Sequence, residues 1–436
     1  MGESVIDRTP DGTGRAAGGS VRPGSGDPAG GGAERAGAAR RRRARFHALT
    51  VAGVRPLTDR SVEVVLAVPD ELRGEYDYLP GQNVALRAEI GGREVRRSYS
   101  LCRAPSSAGN DVIAVAIKRD EGGLFSVWAN EQLTPGMRLD VMTPQGTFTT
   151  ELAGLDGKHL AAVAAGSGIT PVMALARTVL ERSATARFSL VFANRAASDV
   201  MFLGELADLK DRFPARFALH HVLTREKRTV PVLSGRLDAG RLDVLLERVV
   251  RARGVDEWFL CGPLGLVREC QAALARAGVE AARVRFELFT TDAEAGPDGR
   301  GDLPADGGAE PGGRPGDAPA GRVDEPGGGA AAAARGAVRE IAVECVVEVT
   351  LDGVSSTVEI AEDSGDVILD AALRARPDAP YSCANGVCGT CRARLVSGSV
   401  EMRENYALEP EEIAAGYVLT CQSRPTSDRV TVDYDV

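Results

Sequence analysis

Three stretches of patterned hydrophobicity run along the chain, set apart by two stretches that have almost none. Positions 1–44 are Gly, Ala, Pro, Ser and Arg with hardly a branched or aromatic apolar residue. Such a segment buries too little surface to offset its ordering entropy, so a disordered tail is expected. From 45 to 151 the apolar residues come in short alternating runs, at 61–68, 83–90 and 112–117, punctuated by Leu79-Pro80-Gly81 and Gly91-Gly92. Short strands with turn signals at that density predict a small antiparallel β-barrel. Between 152 and 291 the rhythm changes to solid apolar runs, at 160–165, 188–193, 217–223 and 257–261, alternating with helical spacing and glycine-rich turns. That alternation predicts an α/β domain, a parallel sheet with helices on both faces. Gly, Pro, Ala and Asp then take over from 292 to 338, which predicts a flexible linker with an end-to-end spread of roughly 5–6 Å × √n. Pattern returns in 339–436, with strands over 341–351 and 356–360, a helix from Asp366, a cysteine-bearing loop and closing strands.

At 436 residues, 44% of them hydrophobic, the chain has the length of about three domains and enough apolar material for their cores. No run approaches the roughly 18 uninterrupted apolar residues of a membrane span, and the start lacks an apolar signal segment. A cytoplasmic protein with no membrane partner is therefore expected, and in that compartment the eight cysteines stay reduced. Charge is unevenly placed: 339–436 holds 18 Asp and Glu against 8 Arg and no Lys, net −10, while the whole chain carries −9. The acidity belongs to the C-terminal module, where it suits either steering of a complementary partner or plain solubility. A basic run, Arg40, Arg41, Arg42 and Arg43 with Arg45, reads as solvated tail rather than as a nucleic-acid site.

Cys383, Cys388 and Cys391 crowd one loop as C-x4-C-x2-C, and Cys421 follows downstream; this is the plant-type spacing for a [2Fe–2S] cluster. Four thiolates must converge on two irons, and a loop can aim three sulfurs inward only if its backbone curls tightly. Gly386 and Gly389 supply that freedom, since glycine takes positive φ at little steric cost. A zinc knot is the alternative, although zinc sites favour paired C-x2-C units and only Cys388 and Cys391 form one. Cys102, Cys261, Cys270 and Cys345 fall outside the set. An iron–sulfur centre carries one electron at a time, so a source of electrons is required.

Four upstream motifs bear on that source. Arg97-Ser98-Tyr99-Ser100 follows a strand, and period-two alternation puts Arg97 and Tyr99 on one face, where an Arg can clamp a phosphate and a ring can cover an aromatic heterocycle. Gly122-Gly123-Leu124-Phe125-Ser126 opens a helix whose free N–H groups and dipole favour an anion such as pyrophosphate. Gly166-Ser167-Gly168-Ile169-Thr170-Pro171 lies between a strand and a helix, as a phosphate-cradling turn should, with Pro171 in place of the third glycine of the dinucleotide fingerprint. Cys261-Gly262-Pro263 ends another parallel strand, where open α/β sheets bind ligands, although Cys261 alone reads as a small buried residue.

In this order the four motifs resemble the ferredoxin–NADP reductase family. The resemblance implies a flavin site in which Arg97 holds the FAD phosphates, Tyr99 packs on the isoalloxazine and Ser100 hydrogen-bonds near N5, with Ser98 a cofactor-binding member of the same motif. Gly123, Leu124, Phe125 and Ser126 match the pyrophosphate segment. Gly166, Ser167, Gly168, Ile169, Thr170 and Pro171, together with Cys261, Gly262 and Pro263, match the nicotinamide nucleotide turns, with Cys261 near the hydride-transfer position. Glu287-Leu288-Phe289 resembles the acidic-x-aromatic end of the reductase module, which adds Glu287 to Ser100 and Cys261 as catalytic residues and makes Phe289 the shielding ring, where many relatives have Tyr. Thr224-Arg225-Glu226 resembles the stretch that grips the 2′-phosphate of NADPH; Arg195 after Asn194 is a second candidate, and NADH stays open.

Glu404-Asn405-Tyr406-Ala407-Leu408-Glu409-Pro410 and Gly416-Tyr417-Val418-Leu419-Thr420-Cys421-Gln422 are most similar to the reductases that serve phenylacetyl-CoA epoxidases, with those of 3-ketosteroid 9α-hydroxylases next. The resemblance covers about 46–290 and 339–436. It implies a β-grasp ferredoxin domain, cluster ligation by Cys383, Cys388, Cys391 and Cys421, and delivery of single electrons to the oxygenase component of a multicomponent complex. A passive ferredoxin carrier with docking domains and a zinc-stabilised adaptor are the readings from other classes.

Overall fold

The alternating runs of the first patterned stretch form a six-stranded antiparallel sheet in the order Arg93–Ser100, Asn83–Ile90, Arg138–Met142, Phe46–Thr58, Ser61–Ala67, Val112–Lys118. A bridge between Leu101 and Val115 brings its two edges together, so the inward residues Leu49, Val64, Leu66, Leu86, Ile113 and Val115 pack as one core, each without solvent exposure. The helix Leu124–Glu131 closes this barrel by inserting Phe125 into that core. The computed structural model describes residues 4–8, 44–106, 109–289, 343–361 and 364–435.

Beyond the barrel, the continuous apolar runs become five parallel strands in the order Phe217–Leu223, Arg187–Asn194, His159–Ala165, Glu257–Gly262, Val284–Leu288. Both faces are covered, one by the helix Ile169–Arg182 and the other by Leu264–Arg276, which is why these strands are apolar throughout instead of alternating. Strand order reverses direction at His159–Ala165, so the crevice between its carboxyl end and that of Glu257–Gly262 is the topological switch point where such sheets bind ligands. Arg55 ties this domain to the barrel: it pairs with the buried Glu63 at 3.0 Å and with Glu205 on the helix Leu203–Arg212.

The acidic C-terminal module is a mixed sheet grasping one helix. Val343–Leu351 pairs in parallel with Arg429–Asp433 and antiparallel with Val354–Ala361. Arg392–Met402 continues the sheet and carries Tyr417–Leu419 and Ser423–Pro425. The helix begins at Ile368, not at Asp366, because Asp370 turns back to accept the Val367 amide at 3.1 Å and sets the first turn there. One expectation is corrected by the ladder. Ser4–Arg8, placed in the disordered tail, forms a strand antiparallel to Arg392–Met402, whose edge offers a free row of backbone groups. The basic run at 40–43 and the linker expected at 292–338 lie outside the described residues. Among the described residues no helix is long and apolar enough to cross a membrane.

Candidate active site

All three folded modules meet at one cleft of about 910 Å³, counted out to its open mouth. Arg97, Ser98, Tyr99 and Ser100 line it from the barrel, Ser167 and Thr170 from the turn after His159–Ala165, Glu287 from the last parallel strand and Phe289 from just beyond its end. The cysteine loop completes the wall with Ser382, Cys383 and Cys388. Ser98 and Ser100, which alternate with Arg97 and Tyr99 along this strand, reach the opening as well. Tyr99 packs on Phe125 with ring centroids 5.7 Å apart, which holds its ring against the barrel from behind.

Glu287 is the chemical centre of this wall. Ser100 Oγ donates to one carboxylate oxygen at 3.0 Å and Asn83 Nδ2 donates to the other at 3.4 Å. Burial pushes the Glu287 carboxyl up to about 7, and the nearby Cys388 adds to the rise against the two hydrogen bonds. Cys261, its register neighbour, is placed differently from expectation. Its thiol is 1% exposed and packs in the core, pushed well above the ordinary range by burial and by Glu287, and it does not line the cleft. The backbone of Cys261 instead receives the nucleotide turn: a Cβ on Gly168 would stand 2.2 Å from its carbonyl oxygen, so the turn closes onto the strand end only because residue 168 has no side chain. Gly262 accepts the Phe289 amide at 3.3 Å, and Pro263 precedes the first turn of Leu264–Arg276.

Other sequence-derived candidates divide. Gly166 takes φ +54° to start the turn, Thr170 donates to the Ser167 carbonyl at 2.7 Å, and Ile169 and Pro171 sit in the first helical turn, where the missing proline N–H is no loss. Gly123, Leu124, Phe125 and Ser126 do not line the cleft; Ser126 Oγ accepts the Asp120 amide at 3.1 Å and donates to the Gly123 carbonyl at 3.3 Å, fixing the helix start. Thr224 and Arg225 donate their amides to the Asn194 and Arg195 carbonyls at 3.0 and 2.8 Å, at the carboxyl end of the sheet. Arg195 is committed to Asp199 through two bonds of 3.2 and 3.3 Å, whereas Arg225 is exposed and has no ion pair among the described residues.

Residues that sequence reasoning missed share the cleft: Asn83, Lys118, Asp120 and Ser382. Burial, followed by the charge of Arg195, lowers the pKa of Lys118, which faces the Gly166 turn at 3.2 Å from where a Cβ would stand. Its position at a strand end just before Gly122-Gly123 was a readable signal. Asn83 had none, since its partner Glu287 lies 204 residues away.

The four cysteines converge. Cys383 stands close enough to Cys388, and Cys421 to Cys391, that the neighbour raises its thiol pKa, and Cys421 also feels the charge of Cys383 and Cys388. Cys388 is held down to about 6, first by Cys383; the Thr390 hydroxyl two residues on is buried with no hydrogen-bond partner among the described residues. Gly386 and Gly389 take φ of +74° and +68°, and Ala384 takes +54° without being glycine, so the curl is imposed on a residue that resists it. Asn385 donates its amide to Cys383 Sγ at 3.4 Å and Gln422 Nε2 donates to Cys421 Sγ at 3.7 Å.

Three family models match the chain in succession: an oxidoreductase FAD-binding domain over 61–150, an oxidoreductase NAD-binding domain over 162–272 and a 2Fe-2S iron-sulfur cluster binding domain over 349–426. The chain is similar to a component of the 1,2-phenylacetyl-CoA epoxidase of Escherichia coli strain K12, with 37% identity over 401 residues, 89% of this chain and 98% of that one. The chain belongs to the iron–sulfur branch of the ferredoxin–NADP reductase family. The reductase is also similar to the ferredoxin reductase component of 3-ketosteroid-9-alpha-monooxygenase from Rhodococcus rhodochrous, at 32% identity over 88% of this chain and 96% of that one. Among solved structures, an intact type IV self-sufficient cytochrome P450 monooxygenase shares the fold with a TM-score of 0.57 at 22% identity, over 89% of the reductase and 41% of that chain. The reductase is an NAD(P)H oxidoreductase and electron-transfer component whose cofactors are FAD, a nicotinamide nucleotide and a [2Fe–2S] cluster. The converging thiols, and the buried Thr390 hydroxyl that has no hydrogen-bond partner among the described residues, fit the cluster.

Proposed function

We propose that the reductase draws electrons from NADPH and delivers them singly, through FAD and the cluster, to the oxygenase component of a phenylacetyl-CoA epoxidase. The observation that carries this reading is the shared cleft, in which the flavin strand 97–100 and Glu287 face Cys383 and Cys388 directly. When bound, the flavin accepts electrons from nicotinamide in pairs and releases them one at a time, which a one-electron cluster needs.

The chain's own residues supply position and charge. Arg97 is suited to the flavin's phosphate and Tyr99, braced by Phe125, to one face of its ring, with Phe289 covering the other. Ser100 and Glu287 hold a proton between them at the cleft wall, within hydrogen-bond distance of each other. Ser167, Thr170 and the close Gly168 turn receive the nucleotide's phosphates at the switch point. Arg225, exposed and without an ion pair among the described residues where Arg195 is engaged, is the cation for a 2′-phosphate, which supports NADPH over NADH. The Cys383, Cys388, Cys391 and Cys421 sulfurs hold the cluster.

The oxygenase is drawn from the relatives: 37% identity to the epoxidase component, against 32 to 34% for ketosteroid reductase components of similar coverage, supports phenylacetyl-CoA chemistry. Reconstitution tests it. With NADPH and a purified epoxidase oxygenase, nucleotide oxidation should depend on phenylacetyl-CoA and yield epoxide. Coupling only with a 3-ketosteroid hydroxylase oxygenase would reassign the partner, and coupling with neither would sink the oxygenase reading.

A further inference from the structure

Arg96 precedes the flavin motif and lies outside it, yet it is only 6% exposed, a costly place for a guanidinium unless partners surround it. From its own strand, Glu94 Oε1 accepts Nε–H at 2.7 Å. Two rings lie within reach of Cζ, Phe46 of the barrel at 5.5 Å and Tyr381 of the iron–sulfur module at 4.5 Å. Nη2 also donates to the Pro377 carbonyl of that module at 3.4 Å. Two residues further along the strand, the hydroxyls of Ser98 and Ser382 share a hydrogen bond of 2.5 Å, and Ser382 adjoins Cys383. Every one of these contacts to the module lands within a few residues of the first cysteine.

We propose that Arg96 and Tyr381 form a latch that positions the cysteine loop on the cleft for transfer between flavin and cluster. This rests on the electron-transfer reading above. One electron leaves the flavin side and one enters the cluster side, with no proton or group moving, so the latch contributes distance and orientation alone. It is a reversible device. A cation–π contact shielded from water is favourable, but when the module lifts away the guanidinium recovers hydration, which lowers the cost of release and lets the module visit an external acceptor.

Full-length variants Arg96→Leu, Tyr381→Leu, their double, and Tyr381→Phe test it by two readouts. Small-angle scattering should show a larger radius of gyration for either leucine variant, whatever the activity. With NADPH, reduction of cytochrome c, drawn from the cluster, should fall by roughly tenfold, the order expected for loss of a shielded cation–π pair, while reduction of ferricyanide by the flavin holds. The double variant should lose no more than Arg96→Leu alone, since Tyr381 acts through Arg96, and Tyr381→Phe, which keeps the ring, should match the parent chain. Because Arg96 lies outside the cluster module, Arg96→Leu decides even where Tyr381→Leu loses iron. Parental scattering and cytochrome c reduction in Arg96→Leu would overturn the latch, as would additive losses. An equal fall in ferricyanide reduction would place Arg96 in the flavin site instead. A parent chain with full iron that never reduces cytochrome c would overturn the electron-transfer reading itself, and the scattering comparison would still judge the latch.

Discussion

Two side chains set the chemistry at the scale of residues, and each makes a measurable demand. Glu287 has a folded-state pKa of about 7 against the ordinary 4.5. Below about pH 4.5 both folded and unfolded chains hold the proton. As pH rises toward 7 the unfolded chain releases it first, so the folded state binds more protons and stability falls, by at most about 3 kcal/mol. Glu287→Gln removes this titration, so its unfolding midpoint should gain on the parent chain between pH 5 and pH 8; a constant gap would show that Glu287 titrates normally. Arg225→Ala should remove a charge-assisted contact of about 1.5–3 kcal/mol, roughly 10- to 150-fold in kcat/KM, for NADPH and not for NADH. Equal losses would assign Arg225 to the fold or to the shared pyrophosphate.

Elements matter here chiefly where two of them approach too closely for a side chain. The nucleotide turn and the Glu257–Gly262 strand meet at Gly168, where an alanine Cβ would stand 2.2 Å from backbone oxygen. The cysteine loop and the stretch before Tyr406 meet at Gly386, where it would stand 2.8 Å from the Glu404 carbonyl at a φ of +74°. Backbone cannot swing aside as a flexible side chain can, so Gly168→Ala should raise KM for the nucleotide and leave flavin content intact. Gly386→Ala should strip iron and leave NADPH–ferricyanide activity intact. Iron analysis and steady-state kinetics on the same two proteins check both, and crossed effects would show that the turns are not independent.

The whole molecule behaves as a two-domain reductase with a module docked on it. A chain ended after Thr291 should bind FAD and reduce ferricyanide with NADPH near the full rate, while delivery to an oxygenase disappears. Residues 339–436 added separately should restore only part of it, because untethering removes the effective concentration, roughly millimolar for a short flexible linker and lower for a longer one. The docked face refines this expectation. Val387 and Tyr406 pack against the nucleotide domain's core beside Phe286 and Leu264, so the shortened chain uncovers apolar surface and its melting midpoint should drop. Oxygenase turnover at the intact rate by the shortened chain would mean that electrons leave from the flavin.

Local spacing determined much of this protein. The cysteine pattern, the glycine turns and the two hydrophobic rhythms are constraints that neighbouring residues satisfy among themselves, so barrel, parallel sheet and cluster loop were all legible along the chain. Arg97 to Ser100, Ser167, Thr170 and Phe289 were named from motifs and line the cleft. Tertiary structure alone decided the rest. It brought Asn83 to Glu287 and Arg96 to Tyr381, and laid Ser4–Arg8 along a sheet edge. None of these could be read in advance, because the energy of each depends on a partner hundreds of residues away, and a linear pattern carries no record of which surface will come to face which.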